Sequence, residues 1–146
     1  MRTWIVILPV IVILSALGFA GKDQSLDQLI ARAQSARIQD QPGLYIDLAE
    51  RELKSADQLY IAGKPDEAHT AVTDLVSFAD KAHDAAKTSG KKIKNSEIAL
   101  RKMALKLRDI ERTQSADEQD ALQKAANHLE DLRTDLLSNM FGKGAK

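Results

Sequence analysis

Ala56-Asp57-Gln58-Leu59-Tyr60-Ile61-Ala62-Gly63-Lys64-Pro65-Asp66-Glu67-Ala68 holds a helix end, a turn and a helix start in one short run. Gly63 can take the left-handed backbone that stops a helix. Pro65 suits the first turn of the next helix, where its missing N–H would have had no partner. The Asp66 and Glu67 carboxylates then sit at that helix's positive end. On both sides the apolar residues keep a spacing of three or four: Ile46, Ala49, Leu53, Ala56 and Tyr60 before the turn, Ala68, Val72, Leu75, Ala79, Ala82 and Ala86 after it. Each set forms one stripe on an amphipathic helix, and a turn this short makes the two helices antiparallel neighbours.

The same punctuation extends outward. Ser25-Leu26-Asp27-Gln28 has capping-box spacing, in which the Ser hydroxyl and the Gln side chain each satisfy a backbone N–H, and predicts a short helix to about Arg37. Asp40-Gln41-Pro42-Gly43 breaks the chain and opens a second helix to Ala62. The third runs from Pro65 to about Lys87, with Ala71, Phe78 and Ala85 widening its stripe, and the fourth from the low 90s to about Thr113. The fourth carries Ile93, Leu100, Met103, Leu107 and Ile110, while Ile98 and Leu105 fall on its opposite side, for a third helix or another copy of the chain to cover. Ser115-Ala116-Asp117-Glu118 is a second capping box, and the helix after it carries Leu122, Ala125, Leu129, Leu132 and Leu136 before fading at Asn139 to Phe141. β-Branched runs are absent. The predicted fold is therefore all-α: an up-and-down antiparallel bundle of four long helices over 42–141, preceded by a short helix and linker at 21–41 and followed by a flexible tail at 142–146.

Ala56, Tyr60, Gly63 and Asp66-Glu67-Ala68 resemble the helical hairpin of a tetratricopeptide repeat, in which a helix stops at a glycine and an acidic pair followed by alanine opens the next. The resemblance covers residues 56–68 and implies a helix-turn-helix unit. Val72 stands where that motif prefers an aromatic, and no second copy of the motif follows; a binding superhelix of such units needs about three.

The first 20 residues are chemically different. One cation, Arg2, precedes an apolar run from Trp4 to Leu14 interrupted by Pro9, and Leu17-Gly18-Phe19-Ala20 ends in small residues. That order is the order of a secretory signal, with cleavage expected after Ala20. The other reading is an uncleaved inner-membrane anchor over residues 4–20, short of the ~20 apolar residues of a usual span. Both send the rest of the chain out of the cytoplasm, to the periplasm or beyond the cell, and membrane contact through this segment follows only if it is not cut.

With 21 Lys+Arg against 21 Asp+Glu the chain is formally neutral, and it has no cysteine. Disulfides, thiolate metal sites and thiol nucleophiles are thereby excluded. The balance is uneven, however: residues 87–108 hold eight cations and a single acid, Glu97. Lys91, Lys92, Lys94, Arg101, Lys102, Lys106 and Arg108 make a candidate interaction surface for an anionic envelope partner or another protein, a second copy of the chain included. The competing reading is internal complementarity, with helix four lying beside the acid-rich helices three and five. Nucleic acid is not an expected partner, because no aromatics interleave with the cations to stack bases.

His69, His83 and His128 are the candidates for metal ligation. Asp66 and Asp80 each precede a histidine by three residues, but on one helix the two pairs are 14 positions apart, ~21 Å of rise, and cannot share an ion. Solvated histidines are expected, with no metal and no cofactor. No Gly-x-Ser-x-Gly elbow, Gly-rich phosphate loop or His-Glu-x-x-His occurs, so a non-catalytic interaction protein is the leading expectation. A small-molecule or metal-binding bundle is the alternative.

Overall fold

A computed structural model describes residues 25–142. The expected signal or anchor at 1–20, residues 21–24 and tail residues 143–146 lie outside the described residues. Five α-helices occupy the rest: α1 (Leu26–Ser35), α2 (Gln41–Ile61), α3 (Pro65–Ser89), α4 (Ile93–Glu111) and α5 (Ala116–Gly142). The expected all-helical bundle is what forms, and its limits follow the local signals. The Ser25–Gln28 capping box closes in both directions, Pro42 and Pro65 lie in first turns, and Gly63 and Gly90 adopt positive φ of 71° and 65° after α2 and α3. The second capping box does not form. Ser115 contributes its carbonyl to the start of α5, while the Glu118 carboxylate turns away to accept from the Tyr60 hydroxyl at 3.4 Å. Helix five also persists through Gly142, one residue into the segment expected to be tail.

Chain direction alternates from α2 to α5, yet the neighbours are not those a simple meander gives. The chain folds into two hairpins, α2–α3 and α4–α5, laid side by side so that α2 runs along α4 and α3 along α5. Both cross-hairpin pairs are parallel. Lys92 Nζ lies over the start of α2 at Gly43, and farther along Lys106 pairs with Asp57. His69 meets Glu118, Asp80 meets His128 and Lys87 meets Asp135 in rising order. The expectation that α4 lies beside α3 and α5 holds for α5 and in part for α3: α4 touches α3 too, but it runs alongside α2, which that expectation left out. The reason is in the burial stripes. Tyr45, Ile46, Leu48, Ala49, Glu52, Leu53 and Ala56 on α2 match Ser96, Glu97, Ala99, Leu100, Met103, Ala104 and Leu107 on α4, buried position for buried position. Ala68, Ala71, Val72, Leu75 and Ala82 on α3 match Leu122, Ala125, Ala126, Leu129 and Leu136 on α5 in the same way. Two hairpins with one burial register stack broadside, like facing like.

The core is thin because alanine fills much of it. Leu48, Leu75, Leu100, Met103, Leu107, Leu122, Leu129 and Leu136 supply the large, fully enclosed side chains. Tyr45 stacks on Phe78 between α2 and α3, centroids 6.5 Å apart, with Lys81 over both rings. Among the described residues four buried polar or charged side chains break the apolar pattern: Glu52, His83, Ser96 and Glu97. Burial, with Asp74 adding to it and Arg51 opposing, pushes the Glu52 carboxyl up.

Candidate functional site

α4 presents its apolar stripe inward through Leu100, Met103 and Leu107, which turns Lys94, Arg101, Lys102 and Leu105 outward. Lys91 and Lys92 precede it in the α3–α4 turn, Lys92 with a left-handed φ of 55°. Lys91, Lys92, Lys94, Arg101 and Lys102 are exposed and have no ion-pair partner among the described residues. The other two members of the expected surface are directed inward to neighbours: Lys106 pairs with Asp57 of α2 at 2.9 Å, and Arg108 donates to the Asn127 amide oxygen of α5 at 2.9 Å. Lys87, in the same basic block, pairs with Asp135 at 2.7 Å. Internal complementarity therefore accounts for part of the block and leaves five cations facing solvent. Glu97, their one acid in sequence, is 7% exposed and holds Arg133 of α5 at 2.6 Å. Leu105 is 55% exposed, covered by no third helix among the described residues, whereas Ile98 is half-buried beside a shallow groove against α2.

At the N-terminal ends of α2 and α4 the surface opens into a cleft of about 760 Å³, lined by Arg32, Arg37, Asp40, Asp47 and Lys92 with small or apolar residues between. A Cβ at Gly43 would come within 3.1 Å of Lys92 Nζ, so this glycine leaves room for the ammonium group against α2. Arg37 is held by Asp40 at 3.0 Å. A second depression, about 440 Å³, shares Asp40 and Lys92 and adds Gln39 and Lys91.

The histidines behave differently from expectation: each lies against a carboxylate across the α3–α5 seam. His128 Nε2 donates to Asp80 at 2.6 Å. His83 is 8% exposed, with Nε2 at 2.7 Å from Asp135 and Nδ1 at 3.0 Å from Asp84. Both contacts are hydrogen bonds at once only when both ring nitrogens carry protons. His69 Nε2 sits 2.7 Å from Glu118 but off the line of a hydrogen bond, leaving that nitrogen without one. The parallel alignment of α3 and α5 brings these residues opposite one another, which spacing along one helix does not reveal. Lys87, then His83, holds the Asp135 carboxyl below the usual carboxylate range. Burial, reinforced by Glu118, pushes the Tyr60 phenol up to about 12. Between α3 and α5 a groove of about 300 Å³ has Val72, Val76, Ala121 and Ala125 among its lining, with His69 and His128 also bordering it.

Among the described residues no three His, Asp or Glu side chains converge as a metal centre requires. No hydroxyl there hydrogen-bonds to a histidine ring; Thr70, Thr73, Thr134 and Ser138 donate to backbone carbonyls of their own helices, Thr73 to that of His69. No family model matches the chain, and no curated protein or solved structure is significantly similar to it.

Proposed function

We propose that this is an exported, non-catalytic helical interaction protein that docks on an anionic partner of the cell envelope through the free cations of α4 and the turn before it. One observation carries the reading: Lys91, Lys92, Lys94, Arg101 and Lys102 are exposed, close together in the chain and without an ion-pair partner among the described residues, while the one acid between them, Glu97, is drawn inward to Arg133. A charged face left unmatched in an otherwise neutral chain is a means of partner selection and orientation. The signal-like order of residues 1–20 supports export.

The test is affinity recovery from the native envelope with the wild-type chain and with a variant in which Lys91, Lys94, Arg101 and Lys102 are changed to Glu. Recovery that disappears in the variant, with its circular dichroism unchanged, supports the reading. Equal recovery by both chains overturns it. The groove between α3 and α5 favours one alternative, a small apolar ligand seated near His69 and His128. That reading predicts a ligand-induced rise in melting temperature abolished by Ala125→Phe, which would fill the groove.

A further inference from the structure

We infer that the end of the bundle formed by the α1–α2 loop, the α3–α4 turn and the last turn of α5 docks on an anionic phospholipid bilayer. The inference rests on the interaction reading above and names its partner. Arg32, Arg37, Lys91 and Lys92 surround the two joined depressions at this end, and of the four only Arg37 has an acid partner among the described residues. Two large apolar side chains open to solvent at the same end: Ile38, 46% exposed in the α1–α2 loop, and Phe141, 76% exposed on α5. Helix register puts Phe141 there. Asp135 is level with Lys87, close to where α3 stops, so α5 continues ~9 Å past that level at 1.5 Å per residue. The opposite end of the bundle also exposes an apolar side chain, Ile61, but it is acidic, with exposed Asp66, Glu67, Asp109 and Asp117 outnumbering Lys64 and Arg112.

A single bound phosphate calls for cations converging on one point. Here they are spread around an open cleft and its rim, an arrangement that suits many headgroups at once, with each Lys or Arg near an anionic membrane strengthening binding about fivefold. Apolar side chains among surface cations add to such binding by entering the headgroup region. The acidic far end is repelled by the same surface, so a chain of zero net charge still has one preferred orientation. Among the described residues no helix is long and apolar enough to cross a membrane, and the contact inferred is at the bilayer surface.

The test is partitioning of the full chain into anionic phosphatidylglycerol vesicles relative to neutral phosphatidylcholine vesicles. Taking the ratio cancels any contribution of residues 1–20 common to both. We expect a ratio well above one, reduced on the order of 100-fold by Lys91→Gln, Lys92→Gln and Lys94→Gln together. Arg101→Gln with Lys102→Gln, farther from the end, should reduce it far less, and Phe141→Ser should weaken anionic binding roughly tenfold without altering its salt dependence. A ratio near one, an equal loss in both cation variants, or full release by inorganic phosphate at constant ionic strength would overturn the inference. If the ratio is flat while envelope recovery still depends on the α4 cations, the bilayer inference falls and the broader interaction reading stands.

Discussion

The seam between α3 and α5 and the outer face of α4 are both rich in charge, and they use it oppositely. Along the seam, His69, His83, His128 and Lys87 each have a carboxylate from the adjoining helix within 2.7 Å. On α4 and in the turn before it, five cations face solvent with no such partner among the described residues. Hydrogen-bonding and ionic side chains thus align two hairpins in one place, and lysine and arginine side chains are available for recognition in the other. The distinction is energetic: matched charges at a helix seam fix register, whereas unmatched exposed charges contribute little to stability and can be altered cheaply.

Mutation can separate the two regions. The largest loss is expected for Leu129→Ala, fully enclosed on α5, at about 2–5 kcal/mol of unfolding free energy, read from urea denaturation; Leu105→Ala on the outer face of α4 should fall within about 0.5 kcal/mol of wild type. Next comes Arg133→Met, which leaves the buried Glu97 carboxylate without its 2.6 Å partner; this should destabilise more than any single substitution among the free α4 cations. Equal melting temperatures for Arg133→Met and Lys102→Gln would erase the proposed distinction.

Protonation gives finer tests. Because the Asp135 carboxyl is held low by Lys87 and His83, the stability it contributes is full above the ordinary aspartate range and is lost as pH falls through its lowered folded value. The wild type should therefore exceed Asp135→Asn in stability at neutral pH, with the gap closing in acid. Tyr60 has the opposite sign. Its phenol is pushed up to about 12, so the stability linked to its neutral form is full below the ordinary tyrosine value of about 10 and disappears as pH rises through about 12. Ultraviolet titration should show Glu118→Gln lowering that value only part of the way, since burial is its larger cause. The smallest effect is expected for Lys91, Lys94, Arg101 and Lys102 changed together to Gln: a melting temperature close to wild type, with partner binding lost.

Much of the fold was legible in local chemistry. Capping at Ser25, the prolines at 42 and 65 and the glycines at 63 and 90 are short-range signals whose effect needs no tertiary context, and the helices begin and end near them. Every residue of the expected stripes on α2 and α3 is buried. The broadside stacking of the hairpins was not legible, because a stripe says which face is covered and not by which helix. The buried groups were hidden for the same reason: His83 reads as solvated until Asp135 arrives from α5, and Glu97 reads only as the one acid of the basic block until Arg133 does. Glu118 read as a cap because its spacing from Ser115 is that of a cap, and its actual partners lie on α2 and α3. Of the seven cations expected to form one surface, Lys106 and Arg108 are drawn to α2 and α5, a division only the packing decides.

The most direct test of the central claim is site-specific photo-cross-linking in the native envelope, with the reactive side chain placed at Lys94 on α4 or, as the control, at Ser77 on the exposed side of α3. Adducts from position 94 and none from position 77 are the predicted result. Adducts from position 77 alone, or none from either, would contradict the assignment of α4 as the docking face.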